Sequence, residues 1–269
     1  MKIKDEYIQK LVDPGIPYIG EAAGAAIAST VGFFVFGPVG AAVGATGGKI
    51  VTDLFSRAGE EIEKRYLSRR ESARIGIVAV YAINRIKSNF ENNIQIRTDD
   101  FFERDPIVDR SAADEILEGT LIAAKNEHEE KKLEYYGNLV ANIAFHSEID
   151  RYHANYLLGI AERLSYRQIC LLTNINRKSN YQLSSNLQEL VKTLDKNGMV
   201  QLRELEDLKF LHLLNSTNEA LIGGGLAGNP TPAKLELSDT GNIIHTLMNL
   251  DKINGLEIDR FAKILSDPV

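Results

Sequence analysis

Along the chain, the spacing of hydrophobic and polar positions changes character several times. Met1–Val12 mixes charged and apolar residues, and from Ala22 to Gly48 there follow 27 residues without a charged side chain. Within that run Gly20, Gly24, Ala28 and Gly32 recur every fourth position, as do Gly40, Gly44 and Gly48. Residues four apart share one face of a helix. Each series is therefore a stripe almost without side chains, on which a second helix can lie close, as in membrane helix packing. Glycine in a helix costs about 0.5–1 kcal/mol relative to alanine, so such stripes require a close-packed partner. Gly37 suits the end of one helix and Pro38 the first turn of the next. The pattern predicts an apolar hairpin: helix 16–36, turn 37–38, helix 38–56 or longer.

Beyond the hairpin, Ile62, Tyr66, Ala73, Ile77, Val80, Tyr81, Asn84 and Ile86 fall near helical spacing and predict one long amphipathic helix over 53–90. A break at 92–97 and an acidic loop, 98–109, follow. Ser111 with Asp114 three residues on is a capping pattern. It predicts a helix to about Lys131 that continues or kinks into 132–145, and a further helix spans 150–163. The remainder reads as a short helix capped at Ser165, a second helix over 184–197 ended by Gly198, a strand at Met199–Arg203, a loose glycine- and proline-containing stretch, a strand from Ala233, and a helix from Asp239 to about Leu250. That order is winged-helix-like. The fold class is thus mainly α, in three parts: 1–56, an amphipathic segment and glycine-zipper hairpin; 57–163, a helical bundle; and 164–269, a winged-helix-like α+β domain.

Charge sharpens this division. The chain carries a net −6, but residues 1–90 sum to +3, residues 91–160 to −8 and residues 161–269 to −1. A global basic excess of the kind nucleic-acid binders show is missing. The lone cysteine, Cys170, lies in an apolar run and reads as a buried small hydrophobe. With one cysteine no internal disulfide forms, which fits a cytoplasmic origin. The apolar run begins too late, behind Met1–Val12, for a signal peptide.

Lys2, Lys4 and Lys10 precede the hairpin, and Arg57, Lys64, Arg65, Arg69, Arg70 and Arg74 follow it. If basic residues stay on the cytoplasmic side, both flanks lie inside, as a hairpin requires. The candidate insertion seam is Gly20, Gly24, Ala28, Gly32, Gly37, Pro38, Gly40, Gly44 and Gly48. The row Arg57–Arg74 is the candidate contact with anionic lipid headgroups, worth about 1 kcal/mol per basic residue at the surface. The second arm, Pro38–Thr52, spans only about 22 Å, short of a bilayer core of about 30 Å. That favours a re-entrant or oligomer-dependent insertion.

Four other chemistries are considered. Gly44–Lys49 lacks the hydroxyl residue that a phosphate-binding loop places after Gly-Lys. Asp150 and His153 have the spacing of a carboxylate–histidine metal pair, but a di-metal bundle needs two such pairs and two further glutamates; no metal and no cofactor are expected. Asn142 and His146 match part of the HEPN-type ribonuclease motif, with Ala141 where that family has arginine. The helix 184–197 offers Asn186, Gln188, Lys192 and Lys196 to a duplex but also Glu189 and Asp195, which is poor for phosphate contact. Gly137, Asn138 and Asn142 read as packing or inter-helix hydrogen-bond positions.

Glu115-Ile-Leu-Glu118, Lys131-Lys-Leu-Glu-Tyr-Tyr-Gly-Asn-Leu-Val-Ala-Asn142, Leu164-Ser-Tyr-Arg-Gln-Ile and Leu237-Ser-Asp-Thr-Gly241 together resemble the Abi-alpha group of bacterial abortive-infection proteins over roughly residues 110–250. The resemblance implies phage defence by damage to the infected cell and carries over no catalytic residue. The expected function is a non-enzymatic antiphage effector that oligomerises with copies of itself and disrupts the inner membrane when a sensor or regulatory protein encoded nearby activates it. The chain is expected to be cytoplasmic, joining the inner membrane conditionally. Its expected partners are its own copies, that sensor and membrane lipid, with no direct nucleic-acid partner. The alternatives are a soluble oligomeric scaffold of a defence system, a winged-helix DNA-binding regulator, and a ribonuclease using His146.

Overall fold

A computed structural model describes residues 45–65, 67–217 and 230–266. The expected hairpin glycines ahead of residue 45, with Ala28 and Pro38, lie outside the described residues. What is described is mainly helical, with one small two-stranded antiparallel sheet, and divides into two compact units between Glu162 and Arg163.

The first unit contains α1 (Ala45–Glu63), α2 (Arg69–Glu91), α3 (Ala112–Asn126), α4 (Leu133–Ile143) and α5 (Arg151–Arg163). The single helix expected over 53–90 is two helices. The Ser68 hydroxyl accepts from the Glu71 N–H, and the Glu71 carboxylate accepts from the Ser68 N–H at 2.7 Å. This capping box starts a new helix, although the apolar periodicity runs on through it. α1 is continuous across 56/57. The Ser111–Asp114 box starts α3 as its sequence predicts. α3 ends at Asn126, and a 3₁₀ turn at Glu130–Lys132 separates it from α4.

The core of this unit is the packing of α2 on α4. Ile75, Val78, Ala79, Ala82 and Ile83 are buried on α2, and Tyr136, Leu139 and Ile143 on α4. The crossing is close because residue 137 is glycine: a Cβ there would lie 2.8 Å from the Val78 carbonyl oxygen and 2.9 Å from the Ala82 nitrogen.

The second unit contains α6 (Tyr166–Asn176), α7 (Leu187–Thr193), α8 (Lys196–Phe210), β1 (Leu214–Ser216), β2 (Leu235–Leu237), α9 (Asp239–Leu247) and α10 (Gly255–Ile264). α6, started by the Ser165–Gln168 capping box, is its centre: Gln168 to Ile175 are all buried, Cys170 among them. Two expectations are corrected. The helix over 184–197 is interrupted, because α7 ends at Thr193 and the Asp195 carboxylate caps a new helix by accepting from Gly198 N at 2.8 Å. Gly198 is therefore at the start of α8 and not at the end of its predecessor. The expected strand Met199–Arg203 lies inside α8, where Gln201, Leu202, Leu205 and Leu208 form a buried helical stripe. The observed first strand is β1, whose Leu214, Asn215 and Ser216 pair with Leu237, Glu236 and Leu235.

Candidate functional site

The candidate site begins where the uncharged run meets α1. This helix is amphipathic, burying Val51, Leu54, Phe55 and Ile62, positions that recur on one helical face. Gly48, the last of the expected stripe, sits half-buried in its first turns, and its carbonyl accepts from the Thr52 hydroxyl at 2.6 Å. The phosphate-loop reading of Gly44–Lys49, set aside because Ile50 stands where a hydroxyl residue is needed, gains no support from Ala45–Lys49, which are helical.

The basic row is largely occupied by carboxylates from the same unit. Arg57 Nε donates to Asp114 Oδ1 on α3 at 2.8 Å. Arg65 pairs with Glu118 one turn further along α3, and Arg110 shares that carboxylate. Arg70 lies 2.8 Å and Arg74 3.5 Å from Glu130, and Arg74 also donates to the Lys125 carbonyl at 3.2 Å. Lys64 pairs locally with Glu61 at 2.8 Å, and Arg69 is exposed. Exposed pairs such as Lys64–Glu61 stabilise little. Asp114 and Glu118 differ, being 12% and 20% exposed. Burial pushes the Asp114 carboxyl up, but the Ser111 N–H and hydroxyl together with Arg57 hold it below its ordinary value. The row therefore fastens α1 and the start of α2 to α3 and the turn that follows it. Its acidic partners are the signal that sequence reading missed: the −8 segment supplies them, but nothing local pairs Arg57 with a residue 57 positions away.

Two buried cations, Lys132 and Arg97, serve the scaffold. Lys132 Nζ lies 2.5 Å from Glu127 Oε2, donates to the Glu162 carbonyl at 3.2 Å and stands over the Tyr136 ring, whose hydroxyl donates to Glu127 at 2.8 Å. Burial pushes Glu127 up, yet Lys132, the Glu129 N–H and Tyr136 hold it below the usual glutamate value. Burial and the adjacent Glu127 push Tyr136 well above its ordinary value. Arg97, buried, donates to the carbonyls of His146 at 2.9 Å and Ile149 at 2.7 Å, and pairs with Asp99. It thereby satisfies backbone acceptors left over past the end of α4.

The remaining candidates are placed as follows. Asn142 Oδ1 accepts from Arg85 Nε at 2.8 Å and Asn89 Nδ2 at 3.0 Å, an inter-helix bond between α2 and α4. His146 Nδ1 lies 2.6 Å from Glu148, on the partly exposed turn beyond. Asp150 uses its carboxylate to accept from the His153 N–H at 2.7 Å. Asn186 caps α7, Lys192 pairs with Glu189, and Lys196 is exposed at the start of α8. Among the described residues no group of three His, Cys, Asp or Glu side chains is placed to hold a metal ion, and no helix is long and apolar enough to cross a membrane.

Compared with family models, curated proteins and solved structures, the chain matches none.

Proposed function

We propose that this chain is an abortive-infection-type effector whose glycine-rich segment acts on the inner membrane after self-association, and whose described helices form the body that carries it. The observation that supports this reading is the attachment of α1. This helix begins within the 27-residue uncharged run and is clamped to α3 through Arg57–Asp114 and Arg65–Glu118. In the described conformation, four of the arginines read as headgroup contacts, Arg57, Arg65, Arg70 and Arg74, are engaged by carboxylates. Exchange of those carboxylates for anionic headgroups would couple membrane contact to release of α1. The test is membrane potential in bacteria expressing the full chain or a chain lacking residues 16–52. Depolarisation by the full chain alone is expected. Equal toxicity of both chains with polarised membranes would overturn the reading.

The same pairing favours a second reading, a soluble oligomeric scaffold in which the basic row is internal cement and the hairpin an oligomer core. Fractionation separates the two, since a toxic full chain that stays wholly in the soluble fraction belongs to the second.

For the second unit we infer a winged-helix-like module used for protein contact. The order α6, α7, α8, β1, β2, with an isolated bridge between Leu183 and Ser266, supports it, with α7 and α8 in place of the single second helix expected over 184–197. α8 exposes Val200 and Phe210, and its charges balance, Lys196, Arg203 and Lys209 against Glu204, Glu206 and Asp207, a surface suited to a protein and without the basic excess that phosphates favour. Duplex binding that weakens with salt and is lost on Lys192→Glu with Lys196→Glu would favour the DNA-regulator alternative instead.

A further inference from the structure

The first unit carries a second surface whose composition none of its internal packing explains. The loop ahead of α3 holds Ile107 92% exposed beside exposed Val108. These side chains are held out by a braced turn. The Asp105 carboxylate accepts from Ile107 N at 2.7 Å and Val108 N at 3.1 Å, Asp105 N donates to the Arg110 carbonyl at 3.0 Å, and Asp109 N donates to the Asp105 carbonyl at 2.8 Å. Asp109 takes a left-handed φ of 53° to close the turn. Presenting two aliphatic side chains to water on a preorganised turn lowers the ordering cost of a contact.

α5 supplies the adjoining part. Tyr152 is 83% and Tyr156 50% exposed, and Gly159 follows on the same face. Gly159 sits within the helix, yet nothing lies within 4 Å of where its Cβ would be. A mid-helix glycine costs about 0.5–1 kcal/mol against alanine, and among the described residues no packing accounts for it, in contrast to Gly137. Loop and helix are tied at the first turn of α3, where Glu115 pairs with Arg151 and accepts from Asn155 at 2.6 Å. Asp105 is held below its ordinary value by the Val108 and Ile107 N–H groups and also by the Arg151 guanidinium. The rim is acidic: Asp100, Glu103, Asp105 and Asp150 are exposed, whereas the nearby Arg104, Arg110 and Arg151 pair with Asp109, Glu118 and Glu115.

The geometry points to a docking surface, formed by Ile107, Val108, Tyr152, Tyr156 and Gly159, for an amphipathic helix of a partner protein that carries lysine or arginine along its edges. The tyrosines are anchors of the kind that dominate protein interfaces. Gly159, one turn beyond Tyr156, lets a helix backbone approach beside them, and the acidic rim complements a basic edge. Such an occupant is chemically distinct from the lipid partner proposed above, and the surface is independent of residues 16–52.

The probes are two amphipathic peptides of about 18 residues, five helical turns, sharing one leucine face and bearing lysines or glutamates on the other. Each is titrated against the full chain and against Gly159→Leu, Ile107→Asp and Tyr152→Ala/Tyr156→Ala variants. The lysine peptide is expected to bind and the glutamate peptide not. Gly159→Leu, which changes no charge and improves helix propensity, is expected to weaken binding at least tenfold while unfolding of the chain shifts to higher temperature. Equal binding of both peptides, or binding unaffected by Gly159→Leu, overturns the proposal. So does loss of self-association by Gly159→Leu in sizing runs without any peptide effect, which would assign the surface to a second copy of this chain.

Discussion

Arg57 of α1 and Asp114 of α3 stand 57 residues apart in sequence and 2.8 Å apart in space. Asp114 is doubly used, since it also completes the capping box of α3. Loosening this pair should free α1 without removing its apolar face. Arg57→Ala is expected to destabilise the chain by about 1 kcal/mol, and the Arg57→Ala/Asp114→Ala cycle to show coupling of about 0.5–1 kcal/mol, read from urea midpoints. Because the folded-state pKa of Asp114 is depressed, the contribution is complete above the usual aspartate value. It is lost only as pH falls through the lower native one. Under the membrane reading, Arg57→Ala should also raise depolarisation, whereas a scaffold would show the stability loss alone.

Gly137 makes the crossing of α2 and α4 possible, and its replacement is the most direct test of the core. Alanine there would press its methyl onto the Val78 carbonyl and the Ala82 nitrogen, which are backbone and cannot rotate aside. Gly137→Ala is expected to cost about 1–3 kcal/mol despite its better helix propensity. A thermal midpoint at or above that of the parent chain would refute this packing.

Arg97 organises the segment between α4 and α5 by donating to several carbonyls at once. Lysine keeps the charge but not the planar fork of donors. Arg97→Lys is therefore expected to cost about 2–4 kcal/mol and to speed amide exchange over 143–150 in particular. Slow exchange there in the variant would show that these carbonyls do not depend on Arg97.

How much of this was legible depended on the range of each signal. Ser111 and Ser165 announced their helices because a capping box is written within four residues. Ser68-x-x-Glu71 has the same form, but the apolar spacing on either side stays in phase, and the break between α1 and α2 was read through. Met199–Arg203 alternates over five residues, so it resembled a strand, although Leu202, Leu205 and Leu208 continue a helical stripe beyond that window. The basic row was visible as a row. Its partners were not, because Asp114, Glu118 and Glu130 reach it only through the tertiary fold. Nothing in the sequence singles out Arg97 beyond the break at 92–97, since its burial depends on carbonyls 46 to 52 residues away. Gly159 and Ile107 carry no local signature at all; only the finished surface shows that one is unpacked and the other exposed.

His245 gives the second unit a pH dependence that can be separated from the rest. It is buried on α9, and its Nε2 accepts from Asn176 Nδ2 at 3.3 Å, which requires that nitrogen to be unprotonated. Burial depresses its pKa below the ordinary 6.5; Asp251 opposes that shift and Arg177 adds to it. The unfolded chain therefore takes up a proton at this residue at a pH where the folded one does not. The stability contribution is complete above the ordinary value and declines as pH falls through the depressed native one. Urea midpoints of the full chain are expected to fall between about pH 7.5 and 5, where most carboxylates remain ionised. His245→Gln keeps a polar side chain at the site without a titrating group. Its midpoints should fall less steeply over the same range, the difference between the two slopes being the share of His245. Parallel profiles for parent and variant would show that this imidazole titrates alike in the folded and unfolded chains, and that Asn176 does not hold it neutral.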